Sequence, residues 1–426
     1  MPRRRPRRVH GRPAELTTDT RENAQPQPGQ TIGGALHKAT IRDVDVAGKR
    51  VLVRVDFNVP MEGGRIVDDS RIRAALPTIT DLVERNAAVI LMTHLGRPDG
   101  HVDEAYRTRP LAERLSQLLR RPVHHLDDCI GPAVEAAVTA MRDGDIVMLE
   151  NVRFHPGETK NDPVFAKQLA ALGDLYVDDA FGAAHRAHAS TAGIAQYLPA
   201  VAGLLMEREI KTLGRIMVDP PHPLVAIIGG SKISTKIGVV QSLLKRVDRM
   251  CIGGAMANTF FKAKGMEMGR SLVEEDQLDV ARSLLSSAGL VLPLDAVIAT
   301  DARPGVKVET VAIDAVPADM KVLDVGPMTV ERFLQTCDGA HAVVWNGPLG
   351  VYEVPPFDRG TDALAEGLAG SDAETIIGGG DLVAALQKQH LSDRMSFVST
   401  GGGATLEFLE GKILPGIAVL RDKNHA

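Results

Sequence analysis

From about Lys38 onward, short apolar runs alternate with amphipathic stretches. Residues 51–55, 88–92, 146–149 and 175–177 are predicted strands in the first half. In the second half the predicted strands are 224–228, 250–252, 296–298, 342–345, 375–377 and 397–399. These runs are almost continuously apolar, as expected of parallel strands buried on both faces. Residues 111–119, 134–141, 164–172, 239–247, 276–288 and 361–368 carry helical spacing. The alternation predicts an α/β protein of two doubly wound, parallel-sheet, Rossmann-like lobes.

Residues 204–213 read as helix without a glycine break, and the Asp219-Pro-Pro-His-Pro223 segment ends the pattern because proline cannot continue a helix. This helix is expected to join the lobes, either as a hinge or as a plainly packed connector. The expected division is a first lobe over 38–202, a connector over 203–218 and a second lobe over 219–405.

The polar motifs follow the predicted strands. His94 comes after 88–92, Arg153 after 146–149, Gly229 after 224–228, Asn346 after 342–345 and Gly378 after 375–377. Ligands of such sheets bind outside the carboxyl ends of the strands. Side chains punctuate the first half: Asp56, Asn58, Arg71, His94, Arg97, Arg153 and Arg186. Glycine turns punctuate the second: Gly229-Gly230, Gly253-Gly254, Gly378-Gly379-Gly380 and Gly401-Gly402-Gly403. Arginine forks grip small anions, and glycine turns let backbone N–H groups approach polyphosphate. The division predicts a small-anion lobe facing a nucleotide lobe.

Bulk numbers narrow the class. With 426 residues, 44% apolar and 24% charged, the chain is a soluble globular protein of two domains. A formal net charge of −5 argues against a general nucleic-acid binder, and no apolar run reaches the ~18 residues of a membrane span. Cys129, Cys251 and Cys337 form no CxxC, which fits a reducing, cytoplasmic setting without a disulfide framework or structural zinc. Residues 1–38 carry a net charge of +5, leaving −10 for the remainder. Rich in Pro, Gln and Thr, residues 1–37 are expected to be a disordered basic extension. A tether, a tail without function and a start placed too far upstream all fit that extension, to which no catalytic role is assigned.

Several motifs have two readings. Asp56 and Asn58 suit an Asx turn leaving a strand as well as a group orienting arginines. Lys232 and Lys236, four apart after Gly229-Gly230, are expected on one face of a helix, where an anion would offset their repulsion. The string is not a Walker loop, and His185-Arg186-Ala187 is not a protein-kinase catalytic loop. Asp381 suits both a magnesium ligand and a helix cap. Glu353 suits both a ribose acceptor and a surface acid. No G-x-G-x-x-G follows 51–55, which disfavours a nicotinamide dehydrogenase.

Taken together, the chain resembles the phosphoglycerate kinase family. The resemblance rests on Arg54-Val-Asp-Phe-Asn-Val-Pro60, Thr93-His-Leu-Gly-Arg-Pro98, Leu149-Glu-Asn-Val-Arg-Phe-His155 and Asp179-Ala-Phe-Gly-Ala-Ala-His-Arg-Ala-His188. It continues through Gly229-Gly-Ser-Lys-Ile-Ser-Thr-Lys-Ile237, Gly253-Gly-Ala-Met-Ala-Asn-Thr-Phe260, Trp345-Asn-Gly-Pro-Leu-Gly-Val-Tyr-Glu353 and Ser399-Thr-Gly-Gly-Gly-Ala404. These run in order over about residues 38–420.

The resemblance implies reversible, Mg²⁺-dependent phosphoryl transfer between ATP and 3-phosphoglycerate, giving ADP and 1,3-bisphosphoglycerate, by a monomer. It implies that Asp56, Phe57, Asn58, Arg71, His94, Leu95, Gly96, Arg97, Arg153 and Arg186 bind phosphoglycerate. For the nucleotide it implies Gly229, Gly230, Lys232, Lys236, Gly253, Gly254, Gly326, Asn346, Glu353, Gly378, Gly379, Gly380, Asp381 and Leu382. Asp381 would hold the metal, with Arg71, Lys236 and Lys232 catalytic. Residues 406–426 would return to the first lobe.

Leu382 departs from the family's usual Ser or Thr and supplies no hydroxyl, so weakened nucleotide binding is expected. Asp178 stands where many members have Asn, adding negative charge near Arg186. A catalytically silent nucleotide- or anion-binding protein on the same fold is the alternative.

Overall fold

A computed structural model of the protein describes residues 31–425. Two six-stranded parallel sheets form its two lobes. In the first, the order is His124–His125, Ile146–Met148, Ala88–Met92, Arg50–Arg54, Leu175–Asp178 and Ala200–Ala202. In the second it is Leu290–Val291, Arg249–Ile252, Leu224–Ile228, Ala342–Asn346, Glu374–Gly378 and Phe397–Val398. In each sheet the chain winds to one side of its first strand and then jumps to the other. The switch points lie between Arg50–Arg54 and Leu175–Asp178, and between Leu224–Ile228 and Ala342–Asn346. A crevice opens at such a point because the two adjoining connections leave in opposite directions.

Burial explains why apolar continuity marked these strands. Every residue of Ala88–Met92, Leu224–Ile228 and Ala342–Asn346 is buried, with helices packed on both faces. Arg54 is the exception, a fully buried cation at the carboxyl end of its strand.

Two expectations are corrected, and one helix goes unpredicted. The run 296–298 lies in Asp295–Ala299, which is not in the parallel sheet. It is the centre of an antiparallel three-stranded sheet, between Glu309–Ala312 and Lys321–Val325. Glu309–Ala312 is mostly exposed and Lys321–Val325 is interrupted by Lys321 and Asp324, so neither reads as a continuously apolar strand. The unstructured extension expected over 1–37 lies mostly outside the described residues, but residues 31–37 have defined structure. Thr31 caps the short helix Ile32–Ala35, and Leu36 packs over Gly214, where a Cβ would come within 2.6 Å of it. The helix Ser70–Glu84, which carries Arg71, was not recognised because Pro77 lies inside it.

The connecting helix, Leu204–Val218, is fastened to both lobes. Asp179, at the end of a first-lobe strand, accepts the N–H groups of Leu205 and Met206, and Thr78 accepts that of Leu204. These bonds satisfy donors that a helix leaves open at its start. Farther along, the buried Glu209 carboxylate accepts from Ser399 Oγ and from the Thr400 N–H and hydroxyl. Arg215 pairs with Glu374 of the second sheet. The last residues lie against the first lobe. Gly416 N donates to Ala184 O, Arg421 N to Ala200 O and Ala39 N to Arg421 O.

Candidate active site

At the switch point of the first sheet, each cation is held by its own set of partners. Buried Arg54 donates Nε to Ser190 Oγ at 2.8 Å, Nη1 to its neighbour's carbonyl at Val55, and Nη2 to His94 Nδ1 at 2.9 Å. Arg71 Nη1 donates to Asp56 Oδ2 at 2.9 Å. Asp56 Oδ1 also accepts the Asn58 N–H, so its turn-forming and arginine-orienting roles coexist. Asn58 Oδ1 accepts the Gly96 N–H, and Gly96 O accepts from Arg153 Nη1 at 2.8 Å. Arg153 Nε is buried and has no hydrogen-bond partner among the described residues.

Electrostatics confirm the convergence. Burial, followed by Arg54, Arg153 and Arg71, pushes the His94 imidazolium well below its ordinary pKa. Burial, with Arg153, Arg54 and Arg186, holds His188 down to about 3. Arg153 itself is lowered to about 10 by burial and then by Arg54. Both imidazoles are therefore neutral near pH 7.

Arg54, Arg71, Arg153 and Arg186 thus share one region. Arg54 begins a family motif, and a charge inside a buried strand is itself a signal of a site. Arg97 behaves differently: it is exposed and bonds to none of the described residues. Phe57 and Leu95 belong to the apolar core, so their side chains face away from any anion. Gly96 is required sterically, since a Cβ there would lie 2.2 Å from the Tyr106 ring. Asp178 is fully buried, and burial raises its carboxyl pKa to about 7, which limits the charge it sets near the arginines.

In the second lobe, Lys236 occupies the switch point. Its Nζ donates to Gly229 O at 2.7 Å, Asn346 Oδ1 at 2.7 Å and Asn346 O at 3.1 Å. It thereby joins the ends of two adjacent strands. Burial lowers its pKa to about 8, with Asp381 opposing the shift. The expectation that Lys232 and Lys236 share a helical face fails. The helix starts only at Ile237, Lys236 turns back to the sheet, and Lys232 is exposed. The segment 229–236 closes as turns over the strand ends, so helical spacing does not apply to it.

The glycine turns interlock around this point. Gly254 has φ +67°, and a Cβ there would lie 2.5 Å from Gly230 N. A Cβ on Gly229 would lie 2.2 Å from Pro348 O. Asn346 Nδ2 is buried without a partner among the described residues, and a Cβ on Gly379 would lie 3.2 Å from it.

Beside this crevice opens a cavity of about 670 Å³, a size suited to a small-molecule ligand. Gly230, Gly254, Glu353 and Asp381 line it, as expected from the sequence. So do Asn258 and Tyr352, which lie inside the family motifs without having been singled out, and Arg270, Leu272, Val273, Ile313 and Val322, which no motif indicated. Several of them come from the small antiparallel sheet and its flanks. Gly326 is buried instead against Asp295, whose carboxylate a Cβ would meet at 2.2 Å.

Gly380–Lys388 begins at the cavity, so its first N–H groups have no partners within the helix. Asp381 in that turn is exposed and makes no hydrogen bond among the described residues. A free carboxylate beside backbone donors fits a magnesium ion that is also bound by phosphate oxygens. Leu382 points the other way. It is fully buried in the apolar cluster with Trp345, Leu349 and Leu386, leaving only its backbone for a phosphate.

Comparison with known proteins follows this geometry. The family model for phosphoglycerate kinase matches residues 41–412. The chain is 55% identical over 391 residues to a phosphoglycerate kinase of Pelotomaculum thermopropionicum, covering 91% of this chain and 100% of that one. It is 56% identical over 394 residues to a phosphoglycerate kinase of Thermosynechococcus vestitus, covering 90% and 98%. The solved phosphoglycerate kinase from Coxiella burnetii superposes with a TM-score of 0.80 at 43% identity, covering 90% of this chain and 98% of that one. The corresponding structure from Pyrococcus horikoshii gives 0.79 at 31% identity, covering 89% and 98%.

Proposed function

The chain belongs to the phosphoglycerate kinase family, and from that premise we propose how its residues carry the reaction. The enzyme transfers a phosphoryl group reversibly between ATP and the carboxylate of 3-phosphoglycerate, a glycolytic step yielding ADP and 1,3-bisphosphoglycerate. The observation that carries the assignment of residues is a pair of buried donors without partners, Arg153 Nε and Asn346 Nδ2. One lies at the strand ends of each lobe.

In this reading Arg54, Arg71, Arg153 and Arg186 surround the phosphoglycerate, with Asp56, Asn58 and His94 fixing their orientation. The accepting carboxylate is ionised at neutral pH, so no general base is needed, and His94 and His188, whose basicity burial and the arginines depress, would be poor ones. The nucleotide base and ribose occupy the cavity, with Glu353 accepting from ribose hydroxyls. Its phosphates lie toward Lys236, Asn346 and the first turn of Gly380–Lys388.

Asp381 would hold Mg²⁺, which supplies charge neutralisation on the nucleotide phosphates when bound. Arg71 and Lys236 stabilise the moving phosphoryl group from opposite sides. Because these groups sit on separate lobes, closure about Leu204–Val218 brings them together and expels water. The working unit is a monomer.

A coupled assay tests this reading. The full chain, ATP, 3-phosphoglycerate and a reducing dehydrogenase should consume NADH only when Mg²⁺ is present. Tight binding of both ligands without turnover would favour a silent binding protein instead.

A further inference from the structure

Three polar side chains end the helix Gly380–Lys388 and its cap. Lys388 Nζ pairs with Asp358 Oδ2 at 2.9 Å, and Gln389 Nε2 donates to Asp362 Oδ2 at 2.7 Å, both within the second lobe. Gln387 turns the other way. Its Nε2 donates to Asp68 Oδ2 at 3.0 Å and lies 3.4 Å from Ser70 Oγ, both in the first lobe.

Asp68 is already committed to the start of the helix Ser70–Glu84. Its Oδ1 accepts the Ser70 N–H and its Oδ2 the Ser70 hydroxyl, each at 2.9 Å. Asp69, at the formal cap position, makes no capping bond because Arg73 and Arg114 occupy its carboxylate. Arg71 is the next residue after Ser70. One helix therefore has the nucleotide-facing Asp381 in its first turn and, roughly 10 Å away at 1.5 Å per residue, a contact to the turn that carries Arg71.

We propose that Gln387 is a positioning residue for phosphoryl transfer, acting across the cleft through Asp68 to set Arg71. The inference rests on the role given to Arg71 above. A neutral amide suits the place: it donates to Asp68 without a charge of its own, whereas a carboxylate there would repel Asp68. Contact with the first lobe orders the turn before Arg71 and couples that order to the helix at the nucleotide site.

A double-mutant cycle on kcat tests it, with KM for both substrates and melting temperatures recorded. Gln387→Ala and Asp68→Ala should each lower kcat by about fivefold, the scale of one ordinary hydrogen bond, and the double variant should fall no further. Gln387→Glu should be slower than Gln387→Ala, and Asp68→Asn in that background should restore most of the loss. Additive losses, or single variants at the wild-type rate, would overturn the inference, as would absence of rescue. Arg71→Ala separates the two readings. If it turns over normally, the role of Arg71 is wrong; if it is crippled while Gln387 and Asp68 are uncoupled, only the present inference fails.

Discussion

At the strand ends of the first lobe, most polar atoms facing the crevice belong to side chains. Arg54, Arg71 and Arg153 are held by Ser190, His94, Asp56 and carbonyl oxygens, so the cations are fixed before any anion arrives. At the strand ends of the second lobe, backbone predominates. Glycines too crowded for a Cβ bring main-chain groups together, and one side chain, Lys236, crosses between the strands. The difference follows from the ligands. A small anion is read by rigid forks; a longer polyphosphate with a base needs room, turns and a cavity. The cost also differs, since the first lobe concentrates positive charge that Asp56 offsets at Arg71 and an anionic ligand would offset further.

The contrast breaks most sharply at Lys236. Lys236→Ala should lower kcat by at least ~10²-fold, the scale of one transition-state donor, as read in the coupled assay. A variant within threefold of wild type would remove Lys236 from that role.

The next effect is on pH. Lys236 is lowered to about 8 in the ligand-free protein, so its charged form predominates below that value and is lost above it. Accordingly kcat/KM for ATP should be flat below about pH 8 and fall roughly tenfold per unit above it. Lys236→Arg should move the fall to higher pH, whatever activity it retains; an unchanged profile would assign the titration to another group.

A smaller effect concerns Leu382. Leu382 is buried in the apolar cluster, which predicts a structural role in contrast to the weakened nucleotide binding expected from its missing hydroxyl. Leu382→Thr should destabilise the fold by about 1–3 kcal/mol, seen as a lower Tm, with KM for ATP nearly unchanged. A tighter KM at an unchanged Tm would restore the hydroxyl argument.

The smallest effects belong to Lys232 and Arg97, whose side chains are exposed and make no hydrogen bond or ion pair among the described residues. Lys232→Ala and Arg97→Ala should each change kcat by less than about threefold in the same assay, in line with solvated charges. A loss comparable to that of Lys236→Ala would show that the exposed side chains move into the site on ligand binding.

Much of this was legible in the sequence because the sheets are parallel. Two-sided burial makes their strands continuously apolar, and ligands gather at strand ends, so His94, Arg153, Asn346 and Asp381 could be placed by chain order. Other features were not legible. Asp295–Ala299 looks like any buried strand, and only its pairing with Glu309–Ala312 and Lys321–Val325 reveals an antiparallel sheet. Lys236 and Lys232 differ because of a turn that spacing does not encode. The lining contributed by Arg270, Ile313 and Val322 depends on tertiary packing of segments far apart in the chain. Arg54 offered a signal, a charge in a buried strand, that its motif obscured.

The most direct test of the central claim, one anion per lobe with one stabilising cation from each, combines calorimetric binding with kcat for Arg71→Ala and Lys236→Ala. Arg71→Ala should bind ATP, and Lys236→Ala should bind 3-phosphoglycerate, with wild-type affinity while turnover falls about 10²-fold in both. If either variant keeps its turnover, or loses affinity for the ligand of the opposite lobe, the division of labour is wrong.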